Sequence, residues 1–183
     1  MQTGIIVGVI ILLLVVFVIG IYNKLVKQRM LVKEAASDIE TFLKQRFDMI
    51  PNLVEIVKGY TKHESETLKG VTEMRAKAMS ADSLSEKLDI DNKMSGMITK
   101  LFAVAENYPE LKADTSFLEL QTNLSSLEEG IQKSRRYYNA TARDYNTAIV
   151  VFPASLLAGI FGFKEEPFFE ATEEEKKNVE VKF

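Results

Sequence analysis

His63 is the only histidine in the chain, and its side chain is the one whose ordinary pKa suits acid–base catalysis near neutral pH. A zinc site needs three or four protein ligands, and the chain has no Cys and no second His to complete one. We therefore interpret His63 as a surface or structural residue. A hydrolase that uses His63 and nearby carboxylates is the disfavoured alternative.

Other catalytic patterns are missing from the sequence. It contains no Gly-rich phosphate loop and no Ser-His-Asp spacing. Asp89 and Asp91 lie two residues apart on a predicted helix, so their carboxylates point in different directions. Without Cys there are also no disulfides and no thiolate nucleophiles. We predict a non-enzymatic protein without catalytic residues, metal ligands or a cofactor.

A polar repeat in the second half of the chain is the stronger candidate for a functional site. Two Tyr-Asn pairs lie seven residues apart, at positions 138–139 and 145–146, and a pair of arginines comes about a turn before the first of them. The candidate face consists of Arg135, Arg136, Tyr138, Asn139, Tyr145 and Asn146. Buried Tyr and Asn need hydrogen-bond partners. Two interpretations stay open: a network that fixes helix register, or a surface for a partner.

Apolar periodicity predicts the helices that carry these residues. The last helix has apolar or small residues at spacings of three and four, at Phe117, Leu120, Leu124, Leu127, Ile131, Ser134, Tyr138, Ala142, Tyr145, Ile149 and Phe152. Two shorter stripes consist of Met94, Met97, Leu101, Val104 and Tyr108, and of Leu53, Val57, Tyr60, Leu68, Val71 and Met74. The pattern continues upstream at Leu25, Val32, Ala36, Ile39, Leu43 and Ile50. These stripes predict an all-α fold.

Interruptions of the apolar pattern predict four helices, with turns near Asp48, Asp82 and Tyr108. Pro51 is tolerated in a first turn but costs about 3 kcal/mol inside a helix. A continuous helix from residue 23 to 80 would extend about 87 Å, more than the next helix can cover. We expect an antiparallel up-and-down four-helix bundle. A single helix kinked at Pro51 is the alternative.

The stretch from Gly4 to Tyr22 has no charged residue and is long enough to cross a bilayer of about 30 Å. A cleaved signal peptide is disfavoured because Met1, Gln2 and Thr3 provide no basic side chain. Basic residues follow the stretch, at Lys24, Lys27, Arg29 and Lys33. The positive-inside bias therefore predicts a single-pass cell-membrane protein with its N-terminus outside and its helical domain in the cytoplasm.

The fourth helix of such a bundle returns toward the membrane and brings an apolar segment with it. The candidate membrane-proximal residues are Phe152, Leu156, Leu157, Ile160, Phe161 and Phe163. The segment either caps the bundle without touching lipid or contacts the membrane interface.

The predicted organisation is a short tail (1–3), a transmembrane helix (4–22), a helical bundle (23–163) and a Glu-rich solvated tail (164–183). The formal net charge of −3 gives no electrostatic reason to expect nucleic acid as a partner.

Several motifs resemble the LemA family, in the same order and with similar spacing from Tyr22 to Phe169. They are Tyr22-Asn23-Lys24-Leu25-Val26, Arg46-Phe47-Asp48-Met49-Ile50-Pro51-Asn52-Leu53-Val54-Glu55, Glu106-Asn107-Tyr108-Pro109-Glu110-Leu111-Lys112, Arg136-Tyr137-Tyr138-Asn139, Tyr145-Asn146-Thr147 and Phe152-Pro153. The resemblance implies a bacterial membrane protein with an N-terminal anchor and a LemA-like bundle. It supplies no catalytic residues.

We therefore expect a membrane-anchored scaffold or interaction protein. Its expected partners are the lipid bilayer, further copies of the chain, or another membrane protein. Members of the family have been associated with a membrane-embedded zinc metallopeptidase and with membrane remodelling in magnetosome formers. An accessory subunit of such a protease is thus the alternative function.

Overall fold

The computed structural model describes residues 1–61 and 65–169, and every regular element in these ranges is a helix. In chain order the helices are α1 (Gln2–Tyr60), α2 (Ser65–Ser80), α3 (Leu84–Ala105), α4 (Pro109–Lys112), α5 (Thr115–Val150) and α6 (Ala154–Phe161). The all-α prediction is confirmed. The described residues form two compact units, and α1 and α5 contribute to both.

The second unit, residues 37–134, is a four-helix arrangement of α1, α2, α3 and α5. Tyr60 at the end of α1 donates to Asp114 just before α5, so these two helices run antiparallel. Lys87 of α3 pairs with Glu40 of α1, and Asp91 pairs with Arg46, so α1 and α3 run parallel. This is the expected up-and-down order.

The buried side chains follow the predicted stripes. On α5, every stripe residue except Ser134 is buried, and Phe152, which follows the end of the helix, is exposed. On α1 the upstream stripe is buried except at Ala36, which is half-buried next to the buried Ala35. On α3, Met94 and Leu101 are buried as predicted and Met97 and Val104 are only half-buried. The sequence missed four buried apolar residues of α3: Leu88, Ile90, Ile98 and Ala105. In the remaining stripe, Tyr60 is exposed and Met74 is half-buried.

The predicted turn near Asp48 is wrong, because α1 continues through Pro51 to Tyr60. Proline has no N–H, so the carbonyl of Phe47 loses its helical donor at residue 51. Arg75 of α2 replaces that donor, since its Nε lies 2.9 Å from the Phe47 carbonyl oxygen. Pro51 itself is exposed. α1 ends at Tyr60, and the next described helix, α2, begins at Ser65.

The other two predicted turns are confirmed. α2 ends at Ser80 and α3 begins at Leu84, where the Ser83 hydroxyl accepts a hydrogen bond from the Glu86 N–H and caps the helix. Tyr108 precedes α4, with Pro109 in its first turn. Asp114 then caps α5 by accepting from the Phe117 N–H at 2.9 Å.

The first unit consists of residues 1–36 and 135–168. Its buried side chains are Leu25, Val32, Ala35, Tyr138, Ala142, Tyr145, Ile149 and Ala158. The N-terminal part of α1 is long and apolar enough to span a membrane: its best 18-residue window has a mean hydropathy of 3.4, and none of that window is buried.

α6 is bent by 98° from α5 at the Phe152-Pro153 step. It ends at Gly162, whose φ of 71° lies in the left-handed region that glycine adopts without steric penalty. The Phe163 N–H then donates to the Ala158 carbonyl at 3.0 Å. The chain is thereby turned back toward α5.

Candidate functional site

Tyr138 and Tyr145 lie in the core of the first unit, 4% and 0% exposed. Their spacing of seven residues places both rings on the inner face of α5. Asn139 and Asn146, which follow them, are half-buried at the edge of that face. The Tyr-Asn repeat therefore lies on one side of the helix.

Asn146 holds the chain segment after α6 through a two-point contact. Its Nδ2 donates to the Glu166 carbonyl at 2.8 Å, and the Glu166 N–H donates to Asn146 Oδ1 at 2.9 Å. Tyr138 Oη donates to the Pro167 carbonyl at 3.0 Å. Arg29 of α1 lies 4.0 Å from the Glu166 carboxylate. These contacts join α1, α5 and the segment 163–168.

The same contacts correct one part of the predicted organisation. The Glu-rich tail was expected to be solvated and mobile from residue 164 onward. Residues 164–168 are mostly exposed, but Glu166 and Pro167 are held against α5 by hydrogen bonds to their backbone atoms. The rest of the predicted tail, from residue 170, lies outside the described residues.

Neither tyrosine is suited to act as a base. Burial raises the pKa of Tyr138, and the Glu166 carboxylate raises it further. Burial also raises the pKa of Tyr145, which the nearby Arg29 guanidinium partly offsets. Both phenols stay protonated at neutral pH. Within the described part of the chain, the buried Tyr145 Oη has no hydrogen-bond partner.

The outer part of the predicted face forms a shallow cleft of about 430 Å³, lined by Arg136, Asn139, Ala140, Arg143 and Phe168. Arg136 is exposed, and Arg135 is half-buried on a neighbouring position. Arg143 and Phe168 were missed from sequence. Arg143 follows Arg136 at seven residues, as Tyr145 follows Tyr138, and this spacing was the available signal. The cleft combines positive charge with one aromatic ring.

The predicted membrane-proximal segment divides into an outer and an inner face. Phe152, Leu156, Ile160 and Phe161 are 79%, 62%, 75% and 49% exposed. Leu157 and Phe163 are half-buried. Ring centroids of Phe161 and Phe163 lie 4.9 and 5.8 Å from that of Tyr22, the last residue of the predicted span. The segment is thus placed against the end of the apolar part of α1.

A buried ionic cluster in the second unit was missed from sequence. Arg46 Nη1 donates to both carboxylate oxygens of Asp91 at 3.0 Å, and its Nη2 donates to Ser95 Oγ at 2.9 Å. Arg46 also pairs with Glu128 of α5. The available signal was phase: Arg46 falls between Leu43 and Ile50 on the apolar stripe of α1. The cluster joins α1, α3 and α5.

Nothing in the described ranges groups three or more potential metal ligands. His63, and with it the disfavoured hydrolase site, lies outside those ranges.

Comparison with known proteins identifies the family. The sequence model of the LemA family matches residues 35–183. The chain belongs to the LemA family.

Three curated relatives have similar sequences. Protein LemA of Metamycoplasma hominis is 26% identical over 89% of this chain and 75% of its own length. Magnetosome protein MamQ of Magnetospirillum gryphiswaldense is 33% identical over 45% of this chain and 30% of its own length. Magnetosome protein MamQ 2 of Paramagnetospirillum magneticum is 25% identical over 81% of this chain and 64% of its own length. The chain thus spans less than two thirds of either magnetosome relative.

Proposed function

We propose that this LemA-family protein is a non-enzymatic, membrane-anchored interaction protein of the bacterial cell membrane, with its helical domain in the cytoplasm. The observation that carries the proposal is the division of α1. Its first part is apolar and uncovered, as a lipid-facing helix requires. Its next residues, Leu25, Val32 and Ala35, are core residues of the first unit. One helix therefore serves both as anchor and as core.

The orientation follows from charge. Lys24 and Lys27 are exposed directly after the apolar stretch, with Arg29 and Lys33 one to three turns further on. Positive side chains next to a span are retained on the cytoplasmic side. The remaining helices, which follow these residues, would lie on that side as well.

Single Cys substitutions test this orientation, because the chain has no Cys of its own. Thr3→Cys should react with an impermeant maleimide on intact cells, whereas Ser80→Cys, exposed at the end of α2, should react only after permeabilisation. The reverse pattern would place the domain outside. Reaction of both positions on intact cells would also contradict the proposal.

The partner surface that we propose is the cleft of Arg136, Asn139, Arg143 and Phe168. Its two guanidinium groups favour carboxylates, as the exposed pair of Arg143 with Asp144 at 3.2 Å illustrates. Phe168, 53% exposed, offers an apolar contact beside them. The matching partner is a membrane protein, or a second copy of the chain, that presents an acidic segment next to an apolar side chain.

Photocrosslinking in cells tests this surface with the full-length chain. A benzophenone amino acid replaces Ala140, which lines the cleft and is not one of its arginines, and a matched variant carries it at Met79, which is 53% exposed in the second unit. A discrete product from position 140 that is absent from position 79 supports the proposal, and mass spectrometry identifies it. Equal products from both positions, or none from either, contradict it.

A further inference from the structure

The chain around α6 presents an apolar surface that the protein leaves uncovered. No charged residue occurs between Asp144 and Lys164. Six large apolar side chains in this stretch are 48% or more exposed: Val150, Val151, Phe152, Leu156, Ile160 and Phe161. Leu156 and Ile160 are four residues apart on α6 and so share one side of it. A contiguous apolar patch of this kind marks a contact with a partner or a membrane.

The depth of this patch follows from Tyr22. The apolar stretch of α1 ends at Tyr22 and the exposed Lys24 and Lys27 follow, so Tyr22 lies at the boundary between hydrocarbon and headgroups, where Tyr is enriched. The rings of Phe161 and Phe163 contact Tyr22 edge-on. Both phenylalanines are therefore at the same depth as the end of the span.

The direction of α6 follows from the helices of the first unit. Tyr22 lies beside Phe161, beyond the end of α5, while Arg29 lies near Glu166, which is bound to Asn146 of α5. Within this unit α1 and α5 thus run antiparallel. Since α6 is bent by 98° from α5, it lies across the direction of the span.

We propose that α6 and the residues 150–152 before it form a second membrane-contacting element, which lies in the plane of the cytoplasmic interface next to the anchor. The inference rests on the proposed anchoring of α1. Lipid is the occupant that the geometry favours, because the patch continues the lipid-facing surface of α1 through Tyr22. The buried Ala158, with the half-buried Leu157 and Phe163, faces the protein, while the outer side meets the acyl chains.

Nitroxide accessibility measures this contact in the full-length protein, reconstituted in vesicles of phosphatidylethanolamine and phosphatidylglycerol. Labels are attached at Leu156→Cys and Ile160→Cys, both exposed, so that the label displaces no core residue. Ile10→Cys in the apolar part of α1 and Met79→Cys in α2 are the references, with native side chains 52% and 53% exposed. Circular dichroism confirms that each labelled chain remains helical.

The measured quantity is the ratio of accessibility to oxygen, which partitions into lipid, over accessibility to a water-soluble nickel chelate. We expect the ratios at positions 156 and 160 to rise above that at position 79 and to stay below that at position 10. Ratios equal to that at position 79, with a high ratio at position 10, overturn the inference while leaving the anchor intact. A low ratio at position 10 overturns the anchor, and the inference with it.

Two further results would also overturn the inference. Low accessibility to both reagents at position 160, with dipolar broadening that disappears when unlabelled protein is added, would show that a second copy covers the patch. Ratios as high as that at position 10 would place α6 in the hydrocarbon core rather than at the interface.

Discussion

The two units of this protein use polar groups in opposite ways. In the second unit, a guanidinium and carboxylates are buried together, and Arg46 connects α1 with α3 and α5. In the first unit, the neutral phenol of Tyr138 and the side-chain amide of Asn146 make the connecting hydrogen bonds, and their partners are backbone atoms of Pro167 and Glu166. Large apolar side chains are exposed on α6 in the first unit, whereas the second unit buries its apolar stripes.

This difference predicts that substitutions in the two units have different effects. Buried charges tolerate few alternative pairings, so the cluster around Arg46 favours one register of the bundle helices. Neutral contacts to backbone atoms hold the segment 163–168 in place, beside one ion pair between Arg29 and Glu166. We therefore expect substitutions in the second unit to change global stability, and substitutions in the first unit to change local opening and membrane contact.

The largest effect should come from Asp91→Ala, which removes the fully buried one of the two carboxylates that pair with the buried Arg46 guanidinium. We expect the free energy of unfolding to fall by about 3–5 kcal/mol, as for other broken buried ion pairs. Urea denaturation of the detergent-solubilised chain, followed by circular dichroism, measures it. Asp89→Ala, exposed on the same helix, is the control, with an expected change within about 0.5 kcal/mol.

Replacing both members of that pair sharpens the result. The double variant Arg46→Met with Asp91→Leu should recover much of the stability that Asp91→Ala loses, because both fully buried charges are removed and the half-buried Glu128 keeps its hydrogen bond from Ser95. A double variant as unstable as Asp91→Ala would show that the cluster contributes through its packing instead.

Gly130→Ala should destabilise the second unit by roughly 1–3 kcal/mol, the usual range for overpacking. A Cβ at residue 130 would lie 2.8 Å from the ring of Phe42, so the ring or the helix must move. Gly96→Ala is the matched control: nothing lies within 4 Å of its added Cβ, and helix propensity predicts a gain of up to about 1 kcal/mol. Equal responses of the two variants in thermal melts would contradict the close contact.

Asn146→Ala should act locally in the first unit. It removes both hydrogen bonds to Glu166, and we expect the segment 163–168 to open more often, at a cost of about 1 kcal/mol. Hydrogen exchange at the Glu166 amide, read by mass spectrometry, should become faster while the amides of α3 keep their rates. Tyr138→Phe removes only the bond to Pro167 and should have a smaller effect on the same peptide. Uniform acceleration across both units would argue against a local role.

The smallest effect concerns pH and the contact between Tyr60 and Asp114. Hydrogen bonds from the Phe117 N–H and then from Tyr60 hold the pKa of Asp114 below its ordinary value of 3.8. The stability that this carboxylate contributes is therefore present above that value and is lost as pH falls through the lower pKa of the folded state. Asp114→Asn should reduce the acid sensitivity of the thermal midpoint below about pH 4.

Tyr60 has the opposite dependence. Its hydrogen bond to Asp114 and the charge of that carboxylate raise the pKa of Tyr60 above 10.0. This contribution is complete below pH 10 and is lost as pH rises through the folded-state pKa. Tyr60→Phe should reduce the loss of stability at alkaline pH, and it should also weaken the acid limb, because it removes one of the hydrogen bonds that lower the pKa of Asp114. An unchanged alkaline limb would contradict the contact.

Periodicity was sufficient to predict the helices and the buried face of α5, because the spacing of apolar residues at three and four is visible in the local sequence. The turn near Asp48 was predicted wrongly because the partner that tolerates Pro51, Arg75, is distant in sequence. The polar run after Gly59 was the better signal for the end of α1. Arg46 and Asp91 were missed since pairing of buried charges between helices has no local pattern, although both residues are in phase with apolar neighbours.

The contact between Arg75 and the Phe47 carbonyl has a consequence for how the chain selects its topology. α1 can propagate through Pro51 before α2 docks, but one carbonyl on its surface then stays hydrated. Covering that carbonyl requires a new hydrogen-bond donor at the same point, and α2 provides one, Arg75, in a single antiparallel register. Pro51, a residue that usually ends helices, thus makes α1 selective for its neighbour, because a shifted pairing with α2 would lose this hydrogen bond.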